Sequence, residues 1–428
     1  MARVLYIDHY AGSIAHGMEF RPFYMAREWM RLGHEVTVVA ATESHLRQRN
    51  PVVTDNWTEE LVSGVRYVWL KTPSYLGNGL SRVRNMLAFV RALYRERRRL
   101  AYSFSPDVVI ASSTYPFDIF PARSIARLTK AKLVFELHDL WPLSPIELGG
   151  MSRWHPFIIA TQFAEDHVCR VAEHVVSMLP KAEEHLTAHG LRPGRFVYIP
   201  NGFVLEEWTE SARMPLPAET QRHLAELRAA GRFIVLYAGA HGLLNNLGIL
   251  LASAERLRDD PISIVLVGHG PEKTALVRAA SERGLDNVSF LPSVPRSTIP
   301  ALLAAADCLF LSYAPQPLFR FGVSPNKLMD YLMSGTPVVA AMAVGNNLVE
   351  ESGCGFTVGA TDPDRLAVAF RELAALPTSD RHAMGERGRR AVRERYSYET
   401  LARRFAELFT SLPMPPVAQS EATGHTTI

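Results

Sequence analysis

Short apolar runs recur along the chain, separated by longer stretches in which apolar residues return every three or four positions. In the first half the runs are VLYI (4–7), EVTVVA (35–40), DVVIAS (107–112), KLVFEL (132–137) and HVVSML (174–179). In the second half they are FIVLYAG (233–239), SIVLVG (263–268), VSFLPS (288–293), CLFLSY (308–313) and PVVAAM (337–342). These runs are β-branched and apolar throughout rather than alternating. That is the pattern of strands buried on both faces of a parallel sheet. The amphipathic segments between them, such as 23–32 and 246–258, are long enough for crossover helices. Two successive sets of about five strands predict two doubly wound α/β domains.

The polar, proline-bearing segment EEWTESARMPLPAET (206–220) follows FVYIPNGFV (196–204) and suits a linker. The expected division is therefore 1–205, 206–397, a last helix over 398–412 packing back toward the first domain, and a disordered tail over 413–428. The last helix carries Leu401, Phe405 and Leu408 on one face. Composition changes this picture little. A chain of 428 residues suits two or three domains, and its net charge of +3 gives no reason to expect a nucleic-acid partner. The three cysteines, Cys169, Cys308 and Cys354, are scattered, so neither a disulfide framework nor a zinc ribbon is expected. No apolar run is long enough to span a bilayer, and the N-terminus lacks the pattern of a signal peptide.

In open α/β sheets ligands sit beyond the carboxyl ends of strands, so the loops there are the candidate carriers of chemistry. The segment FGVSPNKLMDYLMSGTPVV (321–339) predicts a helix over 325–334. Ser324 is its candidate N-cap, Pro325 its first residue and Gly335 its exit. Such an N-terminus attracts anions. Lys327 and Asp330, three apart on one face, suit a diphosphate and a ribose; an ordinary capped helix with a surface ion pair is the equal alternative. His138 and Asp139 end strand 132–137, where a substrate-bonding pair or a merely structural loop both fit. The loop Asp8–Ser13 contains Gly12, which either approaches a ligand or serves the turn, and Glu19 and Arg21 follow it. Gly239, His241 and Gly242 stand after strand 233–239 as a possible phosphate cradle with no cation of its own, leaving the charge to Lys327 and Arg320.

Other signals fail. Lys273 replaces the third glycine after Gly268 and Gly270, which argues against a dinucleotide fold. Asp362-Pro363-Asp364 reads as a helix cap rather than a metal site. No His/Cys cluster has metal-ligand spacing, and no cofactor motif is present. Segment 82–99 carries seven arginines and one glutamate, 7 − 1 = +6. It also has an apolar stripe of Val83, Met86, Leu87, Val90 and Leu93, and it follows the apolar-bearing loop 73–80. This reads as a peripheral membrane contact through 73–99, or as a packed helix with a solvated basic face.

Taken together, the glycine loop before RPFYMAREWMRLGHEVTVV, HDLWP, IPNGF (199–203), LVGHGPE (266–272) and SPNKLMDYLMSGTPVV resemble the retaining glycosyltransferases of family 4. The resemblance covers about residues 3–410. It implies the GT-B fold and sugar transfer from a nucleoside diphosphate sugar, UDP before GDP. The acceptor it implies is a lipid-linked bacterial surface glycan, with the enzyme at the inner face of the cytoplasmic membrane and no metal or other cofactor. By position it makes His138 the active-site histidine beside the donor sugar, and Gly12 the loop nearing the phosphates. Gly322, Val323, Ser324, Asn326, Lys327 and Asp330 fall in the E-x7-E motif, with Glu19, Arg21 and Asp139 on the acceptor side. Two departures stand out: Gly322 replaces the first glutamate of that motif, and Asp330 the second. An epimerase of similar architecture and a silent nucleotide-sugar binder remain as alternatives.

Overall fold

The computed structural model describes residues 1–77, 79–209 and 214–410. The expected tail over 413–428, and part of the expected linker, lie outside the described residues. Eight strands form the first sheet: β1 (Arg3–Ile7), β2 (Glu35–Ala41), β3 (Trp57–Val62), β4 (Val65–Leu70), β5 (Val108–Ala111), β6 (Lys132–Leu137), β7 (His174–Ser177) and β8 (Phe196–Tyr198). Their order is β3-β4-β2-β1-β5-β6-β7-β8. Six form the second: β9 (Phe233–Ala238), β10 (Ile262–Val267), β11 (Val288–Leu291), β12 (Cys308–Ser312), β13 (Val338–Ala341) and β14 (Gly355–Val358), in the order β11-β10-β9-β12-β13-β14. All pairings are parallel except β3 with β4.

Every apolar run read from the sequence is a strand, within two residues at each end. The central strands β1, β5, β9, β10 and β12 are almost wholly buried, as runs apolar on both faces require. Four strands were not expected. β3, sequence WTEELV, alternates and sits half-solvated on the sheet edge, so it never presents an apolar run. β4 closes a tight hairpin with it through Ser63 and Gly64, both at positive φ. β8 and β14 are short strands at the far edges of their sheets.

Helices cover both faces of each sheet, giving two apolar layers per sheet. Helix Tyr398–Thr410 follows the second sheet in the chain but packs into the first domain's core. Trp29 of helix Arg21–Arg31 meets Phe405 and Phe409 edge-on and donates its indole N–H to the Ala402 carbonyl at 3.1 Å. The chain thus crosses between the halves twice, and the crossings touch: Phe203 N–H donates to Tyr396 O at 3.1 Å, and Tyr398 N–H to Phe203 O at 3.0 Å. Among the described residues no helix is long and apolar enough to cross a membrane.

Candidate active site

Strands β1, β5 and β6 are neighbours at the middle of the first sheet, so their carboxyl ends deliver Asp8, Ser112, Glu136 and His138 to one place. Glu136 is the unusual member, a carboxylate between Phe135 and Leu137 in the buried part of its strand and with no exposure. Its Oε1 accepts from Arg21 Nε at 3.0 Å and Nη2 at 2.8 Å. Its Oε2 accepts from the Tyr6 hydroxyl and from Ser112 Oγ. Burial alone would push this carboxyl up. The Arg21 guanidinium and the His138 ring outweigh it and hold the group well below the usual carboxylate range.

Arg21, expected on the acceptor side, is therefore corrected. It is 1% exposed, and its remaining donors go to the carbonyls of Pro200 at 2.6 Å and Ile199 at 3.0 Å. No substrate reaches it; it fixes Glu136. Asp139 is also turned inward, accepting from Ser144 Oγ at 2.6 Å and Leu140 N–H at 3.0 Å, so it shapes the loop after β6. Glu19 is half-buried and contributes its charge to the field at His138.

His138 Nε2 lies 2.7 Å from Ser112 Oγ, 3.4 Å from Glu136 Oε2 and 3.9 Å from Asp8 Oδ2. Burial opposes the imidazolium, but Glu136 first, then Asp8 and Glu19, raise its pKa above the ordinary histidine value. With Nε2 committed to this acidic floor, Nδ1 is the nitrogen left to face a ligand. Asp8 Oδ2 is buried without a hydrogen-bond partner, and burial lifts that carboxyl to about 7. Sequence reasoning missed Asp8 and Glu136. A carboxylate inside the run KLVFEL was the available signal.

Gly12 serves the turn. Its N–H donates to Glu19 O at 2.8 Å, and a Cβ there would stand 2.1 Å from Gly17 O. The amide is thus spent within the loop rather than offered to a phosphate.

On the second domain, the carboxyl ends of β9 and β12 and helix Asn326–Ser334 surround Lys327. Its Nζ donates to Tyr237 Oη at 2.8 Å and Asn245 Oδ1 at 2.7 Å. No carboxylate among the described residues forms an ion pair with it, and burial lowers its pKa to about 8. A Cβ on Gly239 would come within 3.2 Å of that ammonium, so only a glycine leaves the space beside it open. His241 completes the pocket. It is fully buried, neither ring nitrogen has a partner, and burial with nearby Lys273, His269 and Lys327 lowers its pKa to about 4. A half-buried cation without a counter-charge and a buried, neutral imidazole without partners describe a site completed by an anion.

The helix starts one residue later than expected, and its cap differs. Pro325 occupies the N-cap, and Ser324 does not cap the helix. Its hydroxyl accepts from Asn201 N–H at 2.8 Å, while Asn201 Nδ2 donates to Ser324 O at 2.7 Å. That pairing ties the IPNGF segment of the first domain to the helix tip. Val323 is held by the Asn346 amide, through its N–H at 2.7 Å and its carbonyl at 3.0 Å. Asn326 opens the first turn, in which Leu328 N–H donates to Pro325 O at 3.2 Å. Gly322 has φ 103°, and a Cβ there would meet Pro180 Cδ at 2.5 Å and Asn346 Oδ1 at 2.8 Å. No larger residue fits without moving the first domain. Gly242 opens the turn that places Asn245, whose N–H donates back to Gly242 O at 3.0 Å. Arg320, a candidate for phosphate charge, is engaged elsewhere, paired with Glu147 of the first domain at 2.8 Å and 2.9 Å.

Asp330 lines an opening of about 540 Å³ between the domains, with Ile14, Phe20, Tyr24, Val294 and Arg296. Its carboxylate lies 3.4 Å from Arg296 Nη1, and Arg296 also pairs with Glu207 at 2.8 Å. Burial raises the Asp330 pKa, and Arg296 opposes the shift.

Comparison with known proteins agrees with this geometry. Residues 16–202 match the family model described as "Glycosyl transferase 4-like domain", and residues 232–375 that described as "Glycosyl transferases group 1". An Escherichia coli (strain K12) protein, whose name assigns it to colanic acid biosynthesis as the glycosyl transferase WcaI, is 27% identical over 372 residues, 82% of this chain and 87% of that one. The D-inositol 3-phosphate glycosyltransferase of Corynebacterium urealyticum is 30% identical over 223 residues, 49% of this chain and 48% of its own. Among solved structures, Anabaena Alr3699/HepE in complex with UDP and glucose superimposes with a TM-score of 0.66 at 18% identity, covering 96% of this chain and all of that one. Two facing Rossmann-like domains of GT-B type, matched in turn by both glycosyltransferase models, settle the assignment: the chain belongs to the family 4 glycosyltransferases of the polysaccharide-building type.

Proposed function

We propose that the protein moves a sugar, with retention of configuration, from a nucleoside diphosphate sugar to a hydroxyl of a lipid-linked glycan, without a metal. UDP is the favoured donor nucleotide, supported by the UDP held by the structural neighbour from Anabaena. The observation that carries the reading is the half-buried, uncompensated ammonium of Lys327 beside Gly239 and the tip of helix Asn326–Ser334. A diphosphate leaving group supplies the missing negative charge. The acceptor hydroxyl attacks the anomeric carbon on the face from which the diphosphate departs. The C1–O bond to phosphate breaks, a new C1–O bond forms, and the acceptor's proton passes to the departing phosphate oxygen. Lys327 and the helix N-terminus stabilise charge as it develops on that oxygen. Asp330 holds the ribose in the opening beside Arg296. His138, whose protonated form Glu136 favours, offers Nδ1–H to a sugar hydroxyl.

A thermal-shift screen over nucleoside diphosphates tests the donor site, because a ligand that binds only the folded chain raises its melting temperature. UDP should give the largest shift, and no shift with any nucleotide would remove the reading. Binding should also depend on pH. The free Lys327 ammonium titrates near 8, and a bound diphosphate raises that value. UDP affinity should therefore fall as pH rises above about 8, by at most about tenfold per unit. The dependence should vanish in Lys327→Met, as measured by calorimetry.

The acceptor's lipid places the enzyme on the inner face of the cytoplasmic membrane, through 73–99. The helix there is Leu80–Phe104. Much of the apolar stripe read from the sequence faces inward, with Met86 and Leu93 buried. Leu76, Leu80 and Leu87 remain 92%, 88% and 55% exposed, beside exposed Arg84, Arg91, Arg95 and Arg98. This combination suits an anionic lipid surface. The chain should float with anionic vesicles at low salt, and Leu76→Ser/Leu80→Ser should weaken flotation; failure of the unaltered chain to float would remove the membrane assignment.

A further inference from the structure

Away from the cleft, helices Pro156–Val171 and Glu183–Ala188 bring four potential ligands together. His185 and His189 are one turn apart and face Glu165 and Asp166. His185 Nε2 lies 3.0 Å from Glu165 Oε1, and His189 Nδ1 lies 2.8 Å from Asp166 Oδ1. One ligand atom each from Glu165, His185 and His189 falls within a 4.8 Å group. The sequence hid this cluster because the histidines and the carboxylates stand about twenty positions apart on different helices.

Charge is the independent observation. Glu165 is 2% exposed, and among the described residues its charge partner is the His185 imidazole rather than a lysine or arginine; Asp166, whose side chain is 36% exposed, pairs likewise with His189. Buried carboxylates require a cationic partner or a metal. The Gln162 amide cannot serve that need. Its Nε2 lies 2.9 Å from Glu165 Oε2, Asp166 Oδ1 and His189 Nδ1, so it gathers these groups without supplying charge. An open cavity of about 700 Å³, lined in part by Asp166, His185 and His189, gives access from solvent.

We propose that Glu165, Asp166, His185 and His189 bind one divalent cation of the zinc class. Two imidazoles with two carboxylates suit zinc rather than calcium or magnesium, which prefer all-oxygen shells. Four ligands about 2.0 Å from the metal complete a closed, structural site with no position open for catalysis. Asp166 stands outside the 4.8 Å group and joins the other three ligands by a side-chain rotation. The site braces the joint with the donor domain. The same segment touches that domain through Lys181 N–H, which donates to Phe321 O at 3.0 Å, and through the His185 ring, whose centroid lies 5.7 Å from that of Phe321.

The test uses the full chain, stripped by chelator and titrated with zinc alone, and reads binding rather than sugar transfer, so its outcome is separate from that of the proposed function. One zinc per chain by calorimetry and elemental analysis, with a raised melting temperature, is expected. Cobalt(II) in its place should give the intense visible bands of tetrahedral coordination. Uptake should drop at least tenfold in His185→Ala and in His189→Ala. Because His185 is largely buried, Asp166→Asn serves as the milder variant and should weaken uptake in a chain with an unchanged circular dichroism spectrum. Absence of stoichiometric uptake, or uptake indifferent to all three substitutions, overturns the proposal.

Discussion

Lys327→Ala should lower kcat/KM by about a hundredfold to a thousandfold, the usual loss when one preorganised donor to a developing negative charge is removed. The ammonium is half-buried, holds only neutral partners in Tyr237 and Asn245, and faces the gap that Gly239 leaves open. It has no structural counter-ion to strand, so the variant should fold and melt near the unaltered chain. Lys327→Arg should not rescue the rate, because the planar fork of a guanidinium does not fit a space shaped for a point charge. Steady-state kinetics with UDP-sugars decides the matter. Near-normal turnover in Lys327→Ala would remove the phosphate assignment and with it the proposed leaving-group chemistry.

Arg21→Met should destabilise the fold by about 3–5 kcal/mol, the range for breaking a buried ion pair from one side. Glu136 would remain in the sheet interior without its main counter-charge. Urea unfolding at pH 7 measures the loss. The pair holds the Glu136 carboxyl below its unfolded value of 4.5, so its stabilisation is present above that pH and fades as acid protonates the group. The difference between variant and parent should shrink accordingly toward low pH. Arg21→Met/Glu136→Leu should recover much of the stability, since an apolar replacement removes the stranded charge. Activity should stay low in the double variant, because His138 would lose the carboxylate that favours its protonated form. A double variant as active as the parent would show that Glu136 does not position His138.

Much of the fold is legible in the sequence because buried parallel strands cannot hide. VLYI and FIVLYAG are apolar on both faces and bounded by loops. The edge hairpin escaped because WTEELV faces solvent on one side and alternates. At the site, Lys327 and Asp330 are legible through local spacing on one helix. The Arg21–Glu136 pair spans 115 positions, and no periodicity links its members. Ser324 was misread for a related reason. Its neighbours suit a cap, but its hydroxyl goes to Asn201, 123 positions away. Local chemistry names the groups present, and only the fold decides which partner each one meets.

The two strands of backbone that run side by side at Phe203 and Tyr396–Tyr398 work like the paired leaves of a door hinge. A single tether would let one half swivel and twist freely. Two bonded tethers restrict that freedom at the crossing. The last helix, seated against Trp29, anchors the second leaf in the opposite frame. A first half produced alone as residues 1–205 should therefore expose Trp29 and Tyr24 to water and be recovered as a folded piece only when residues 398–410 are supplied with it.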